Sequence, residues 1–229
     1  MEWLPDFAAA ALAAILAITL HEAAHGYAAR ALGDDTAARL GRLSLNPLRH
    51  VDPVGTLLIP GLLVVSQLLL SGRVDVLFGW AKPVPVNVMA LRNPRYGMVL
   101  VAAAGPAMNL ALAIAASILL HPFQGVGQDN VMDWVGNFLL LSLIGNLVLG
   151  AFNMIPIPPL DGGRILGGLL PPELGIPFLR LERAGLFIVL GMLFILPLAV
   201  PGTDPVRWLV RTVVFPLAQL ILTLTGHDL

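Results

Sequence analysis

The sequence has no cysteine, so no disulfide frame, thiolate nucleophile or Cys-ligated metal contributes to its fold or chemistry. It is also short of charge. Only 12% of its 229 residues are Asp, Glu, Lys or Arg, about half the share that a water-facing globular surface carries. There is no basic excess either: 13 Lys and Arg stand against 14 Asp and Glu, which excludes the cationic surface of a nucleic-acid binder. What is present in quantity is apolar. A hydrophobic content of 57% and a mean hydropathy of +0.85 exclude a soluble enzyme and a disordered segment. The composition is that of a polytopic membrane protein, with the lipid bilayer as its surroundings. The basic start of a secretory signal is missing as well: Glu2 and Asp6 precede the apolar run 7–20, which continues past signal length and is read as a mature helix.

A helix crosses the hydrocarbon core with about 20 apolar residues. Helices are predicted at about 4–32, 96–120 and 131–155, with two more at about 184–200 and 205–224, all in one domain, 1–229. The apolar stretch 54–71 is interrupted by Pro60-Gly61, which predicts a break and permits either a full span or a re-entrant hairpin. Charge bias separates the two. With a hairpin, eleven of the thirteen Lys and Arg fall on one face, whereas a full span divides them seven against six. The positive-inside rule favours the hairpin, with the N-terminus outside and the C-terminus inside. Between the hairpin and the next helix, Val84, Val86 and Val88 alternate with Pro83 and Pro85. That pattern predicts a strand able to pair along one edge, with 42–46 as its partner in a small cytoplasmic β-sheet.

Inside the first apolar run lies His21-Glu22-Ala23-Ala24-His25. Residues four apart share a helix face, so both imidazoles can reach one ion, and zinc suits them. Glu22, turned about 100° away, can act as general base on a metal-bound water. A Glu at mid-membrane costs about 2.5 kcal/mol or more on insertion scales, which argues against a purely structural role. The third ligand has candidates in Asp161, Asn109, Asn153, His50 and Asp52. Asp161 stands out, because Pro156, Pro158 and Pro159 end the preceding helix and Gly162-Gly163 permit close approach. The bland alternative is an Asp that caps a helix over 162–170. His50 and Asp52 read as a polar turn ahead of Pro53, with gating or a second ion as the other reading. His121 and His227 read as solvated.

Three motifs occur in order: His21-Glu22-Ala23-Ala24-His25, Gly105-Pro106-Ala107-Met108-Asn109, and Asn153-Met-Ile-Pro-Ile-Pro-Pro-Leu-Asp161-Gly-Gly. Together they bracket about 140 residues, and the chain resembles the site-2 protease family of intramembrane zinc metalloproteases. It is most similar in layout to compact bacterial members, since it holds no stretch long or polar enough for a PDZ domain. The resemblance implies an all-α polytopic fold with a three-helix catalytic core, to which the two C-terminal helices, the hairpin and the small sheet are added. It implies one Zn2+ held by His21, His25 and Asp161, Glu22 as base, and Asn153 holding an extended substrate. Val84, Val86 and Asn87, on the edge strand, are the expected partners of that substrate. Asn109, with Gly105 and Pro106, is expected to support the ligands or pack the helices. The implied partner is a transmembrane protein substrate, cut in a bacterial cytoplasmic membrane with the site open towards the cytoplasm. A metal-binding transporter and a non-catalytic relative that binds membrane helices are the competing readings. Broken segments in transporters come as matched pairs in repeated halves, and no repeat is present.

Overall fold

A computed structural model describes residues 3–72, 79–123, 131–200 and 202–227. In chain order the helices are α1 (Trp3–Ala31), α2 (Ile59–Ser71), α3 (Pro94–Leu120), α4 (Val131–Asn153), α5 (Asp161–Leu169), α6 (Pro172–Arg180), α7 (Glu182–Ala199) and α8 (Pro205–Leu224). Five of these described segments are long and apolar enough to cross a membrane: α1, α3, α4, α7 and α8.

α1, α3 and α4 pack on one another as a three-helix core. The local reason is a stripe of small residues. Ala9, Ala13 and Ala17 recur every fourth position on α1 and are almost wholly buried, which lets neighbouring backbones approach closely where lipid supplies no hydrophobic drive. The same stripe continues to His21 and His25, so packing alone turns both rings inward. α1 stops at Gly33, whose φ of +109° only glycine adopts freely. There the Asp34 N–H closes back on the Ala29 carbonyl at 2.9 Å. α3 starts where the Asn93 side chain accepts the Tyr96 N–H and Pro94 takes the first turn. Leu143 and Val214 are fully buried among α3, α4 and α8. Leu198 and Phe187 of α7, 83% and 75% exposed, lie on faces that meet lipid in a bilayer.

Three expectations are corrected. The first is the β-sheet: no strand exists among the described residues, 80–87 forms no regular element, and Val88 opens a 3-10 turn, Val88–Ala90. Pro83 and Pro85 offer no donors on one edge, as expected. Two of the three donors of the other edge are already taken, Lys82 N–H by the His50 carbonyl at 2.8 Å and Val84 N–H by the Glu22 carboxylate at 2.9 Å, which leaves only Val86 N–H. The segment 42–46 reaches it by a side chain instead, the Arg42 guanidinium donating to the Lys82 and Pro83 carbonyls.

The second is the break at Pro60-Gly61. A π turn, Pro53–Leu58, runs directly into α2. Pro60 has no N–H for the turn before it, and the Gly55 carbonyl accepts the Trp80 N–H at 3.1 Å. The Thr56 hydroxyl also donates to the Trp80 carbonyl. These bonds bring residue 80 back to the start of the segment. Residues 73–78, part of the expected hairpin region, lie outside the described residues.

The third is the side on which the C-terminus emerges. The Pro5 carbonyl accepts from the Trp134 indole and the Asp6 carboxylate from the Asn137 amide. These bonds join the start of α1 to the start of α4, and Phe123, past the end of α3, lies against Gly136 there. At that same end the Ser117 and Thr225 hydroxyls bond at 2.6 Å, and the His227 ring bonds the Ser117 carbonyl. The end of α8 therefore sits at the end of the bundle where α1 starts, whereas α5 lies at the start of α3. His121 and His227 are also not both in solvent: their rings stack at 4.1 Å and His227 is 7% exposed.

Candidate metal centre

The buried stripe of α1 presents His21 and His25, and the start of α5 presents Asp161, to one point. The His21 and His25 Nε2 atoms are 3.1 Å apart, and the Asp161 Oδ2 lies 3.2 and 3.3 Å from them. Four ligands at about 2.0–2.2 Å around a tetrahedral ion stand about 3.3–3.6 Å from one another, so the triangle is close to one face of such a shell, slightly contracted.

The hydrogen atoms can be placed by elimination. The His25 Nδ1 lies 2.7 Å from the Val101 carbonyl, which can only accept, so Nδ1 carries the proton and Nε2 a lone pair. His21 Nδ1 likewise donates to Asn109 Oδ1 at 2.6 Å. With both rings neutral, two imidazole lone pairs and a carboxylate oxygen converge on one point. The Asp161 Oδ2 is a buried oxygen without a hydrogen bond. Converging buried acceptors repel unless a cation sits between them, and His2Asp is a donor set that zinc accepts. The residues fit the ion.

Local backbone chemistry delivers Asp161. Its side chain makes no capping bond to α5, whose N-cap is Leu160, which sets aside the capping alternative. A Cβ on Gly162 would lie 2.2 Å from the Met154 carbonyl oxygen, and one on Gly163 would lie 2.2 Å from the Pro158 nitrogen. Only glycines let the proline-rich loop fold this tightly onto the start of α5. Gly105 serves the opposite wall. A Cβ there would come within 2.5 Å of the His25 ring and 2.6 Å of His21 Cε1, so α3 touches both imidazoles through a bare backbone. Pro106 and Asn109 are buried in the same turn and meet Gly150 of α4.

Glu22, turned about 100° from His21 around α1, is half-buried, and its Oε2 accepts the Val84 N–H at 2.9 Å. Val84 and Val86 line a cavity of about 730 Å3 with Met98, Gly168, Ile176 and Leu179. Asn87 spends its side chain on the Met89 N–H and its own N–H on Asp34. Asn153 turns its amide back onto the Leu149 carbonyl of α4 at 3.0 Å. No described contact joins Asn87 or Asn153 to the three ligands. Asp52 caps the π turn through the Val54 and Gly55 N–H groups, and His50 is buried with its Nε2 on the Ser44 carbonyl. The polar-turn reading describes both.

Sequence reasoning missed Asp34, Arg42 and Asn146. Asp34 accepts the Thr36 and Asn87 N–H groups and so anchors 80–88 to the end of α1. Burial pushes its carboxyl up, but the bonds to Thr36 and Asn87 and the Arg39 charge outweigh burial and hold it below the ordinary carboxylate range. Asn146 accepts from Asn109 in the bundle core. Its signal was an amide in the middle of the apolar run 131–155, which also carries Asn137 and Asn153 nearer its ends.

A bundle of membrane-length helices with a buried three-acceptor cluster, beside a carboxylate and an irregular segment, defines a membrane-embedded metallopeptidase. The family model described as Peptidase family M50 matches residues 121–196. YwhC of Bacillus subtilis, which bears a zinc metalloprotease name, is 42% identical over 187 residues, covering 80% of this chain and 78% of that protein. Rip2 of Mycolicibacterium smegmatis is 32% identical over 180 residues, 78% of this chain and 64% of that protein. Zinc metalloprotease RasP of Oceanobacillus iheyensis is 32% identical over 104 residues, 42% of this chain and 24% of that protein. No solved structure matches. The chain belongs to peptidase family M50, the site-2 protease family that its motifs resemble.

Proposed function

We propose that this peptidase holds a single zinc ion with His21, His25 and Asp161, and hydrolyses peptide bonds in or near transmembrane segments of other membrane proteins, with Glu22 as general base. The observation that carries this reading is the convergence of two imidazole lone pairs and an unpaired buried carboxylate oxygen. Zinc, when bound, acidifies a water and polarises the scissile carbonyl. The remaining work falls to the chain. Glu22 takes the proton of the attacking water and returns it to the leaving amine. Burial of the site among α1, α3 and α4 restricts water, and the lone pairs of His21 and His25 are held in place by Asn109 and Val101.

A helical substrate must unwind before its carbonyls can be attacked, and its freed groups need partners. The segment 80–87, which forms no sheet, supports that step with open backbone groups. The Val86 N–H and carbonyl make no hydrogen bond to a described residue, and Val84 and Val86 face the cavity. That cavity is also lined by Arg164 and Gly168 of α5, the helix that Asp161 begins. An apolar side chain flanking the scissile bond fits it. The proposed orientation has the N-terminus outside and the site open towards the cytoplasm, supported by the Lys and Arg bias of the loops.

The test is reconstitution of the purified full chain in vesicles with a membrane-embedded protein substrate. A chelator that strips zinc should abolish cleavage, and added zinc should restore it. Zinc flux across the vesicle without cleavage would replace the peptidase by the transporter reading. Asn153→Ala should slow cleavage at least about tenfold at unchanged zinc content, because its amide Oδ1 makes no bond to a described residue and is free for an extended substrate. Unchanged turnover would remove Asn153 from substrate binding.

A further inference from the structure

We propose that Asn146 is a positioning residue for metal binding. It holds Asn109 in the one amide orientation that keeps the His21 Nε2 lone pair aimed at the ion. This rests on the reading of His21, His25 and Asp161 as the metal ligands.

The argument is a chain of donors and acceptors that ends on a group with no choice. The Ser142 carbonyl, one turn before Asn146 on α4, can only accept. The Asn146 Nδ2 donates to it at 2.8 Å, which turns the Asn146 Oδ1 towards α3. That oxygen can only accept, and the Asn109 Nδ2 donates to it at 2.8 Å. The Asn109 Oδ1 is thereby turned towards α1, where it accepts the His21 Nδ1–H at 2.6 Å. Asn109 is 0% exposed and Asn146 is 3% exposed, so no solvent intervenes to rescue a wrong orientation. Each bond in the series is dictated by the one before it.

Reversal shows what the relay prevents. Were the Asn109 amide flipped, its NH2 would face His21, and Nδ1 would have to accept. The ring proton would then move to Nε2 and point at the place of the ion. An imidazole protonated on Nε2 cannot ligate through it. Asn109 alone does not choose between the two orientations, because its oxygen and nitrogen are nearly the same size. Asn146 makes the choice, from a helix that contributes no metal ligand. Outer groups of this kind change metal affinity by about 10–100-fold when removed.

The test uses the detergent-purified full chain and zinc alone, with the dissociation constant measured by competition against a chromogenic chelator. Asn146→Leu should weaken zinc at least about tenfold. Asn146→Asp accepts from Asn109 in either protonation state and should stay near the native affinity. In an Asn109→Leu background, Asn146→Leu should add little, since it acts only through Asn109. The metal-free protein labelled with 15N-histidine should report His21 protonated at Nδ1, and Asn146→Leu should bring in the Nε2–H form. A merely structural role for Asn146 would move neither the tautomer nor the non-additivity. The proposal is overturned by any of three results. They are native zinc affinity in Asn146→Leu, loss in Asn146→Asp as large as in Asn146→Leu, or full additivity with Asn109→Leu. Asp161→Ala separates the two levels: if it too binds zinc like the native chain, the ligand assignment itself has failed.

Discussion

Glu22→Gln is expected to abolish cleavage of a membrane-embedded substrate while zinc content stays at the native level. The substitution is nearly isosteric. A glutamine Oε1 still accepts the Val84 N–H that the Glu22 carboxylate accepts at 2.9 Å, so the segment 80–88 keeps its anchor. The three ligand atoms are untouched, because Glu22 lies off the stripe that carries His21 and His25. What is lost is a group able to take and return a proton. General base catalysis contributes about 10²–10⁴-fold, and a glutamine offers none. Substrate cleavage by Glu22→Gln, followed in vesicles beside zinc analysis of the same preparation, checks both halves. Turnover within tenfold of native would remove Glu22 from the reaction.

Gly105→Ala should cost the protein its metal. Helix propensity alone forecasts the reverse, since replacing glycine by alanine inside a helix stabilises it by about 1 kcal/mol. The geometry decides against propensity. The new methyl would stand 2.5 Å from His25 Cε1 and Nε2 and 2.6 Å from His21 Cε1. Neither ring can yield cheaply. His25 is pinned by the Val101 carbonyl, and His21 by an Asn109 amide that is itself held. Either α3 is pushed off α1 or the rings rotate, and both spoil a triangle of about 3.2 Å edges. Zinc affinity should fall by about a hundredfold or more, and cleavage with it, measured by metal analysis of the purified variant. Full zinc occupancy in Gly105→Ala would show that α3 does not contact the rings through bare backbone.

These two residues differ in how far they could be read in advance. Glu22 is legible in the sequence because its neighbours are: two histidines four apart declare a helix face, and an acid inside an apolar run calls for a reason. Gly105 is one of 23 glycines, and only the packing of α3 on α1 singles it out. Asp161 lies between these cases. Its prolines and glycines announce an irregular backbone, but its arrival at the histidines depends on a loop folded over the start of α5. The edge strand shows where local reading fails. Alternating valines and prolines predicted a strand with one edge bare of donors, and no strand forms there. A sheet needs a free partner, and the donors at 82 and 84 had been claimed by His50 and Glu22.

The sequence by itself determined the membrane class, the apolar helices, the paired imidazoles with their acid and the downstream carboxylate. Each of these is set by composition, helical period or local backbone chemistry, and such properties belong to a residue and its near neighbours. The tertiary structure alone decided which partner each polar group found. It sent the Val84 N–H to Glu22 rather than to a strand, brought the end of α8 beside the end of α3, and lined up Asn146 behind Asn109 and His21. Hydrogen bonds between residues 37, 62 or 108 positions apart are settled by competition among all the donors and acceptors that packing brings within reach, and no local pattern records who wins.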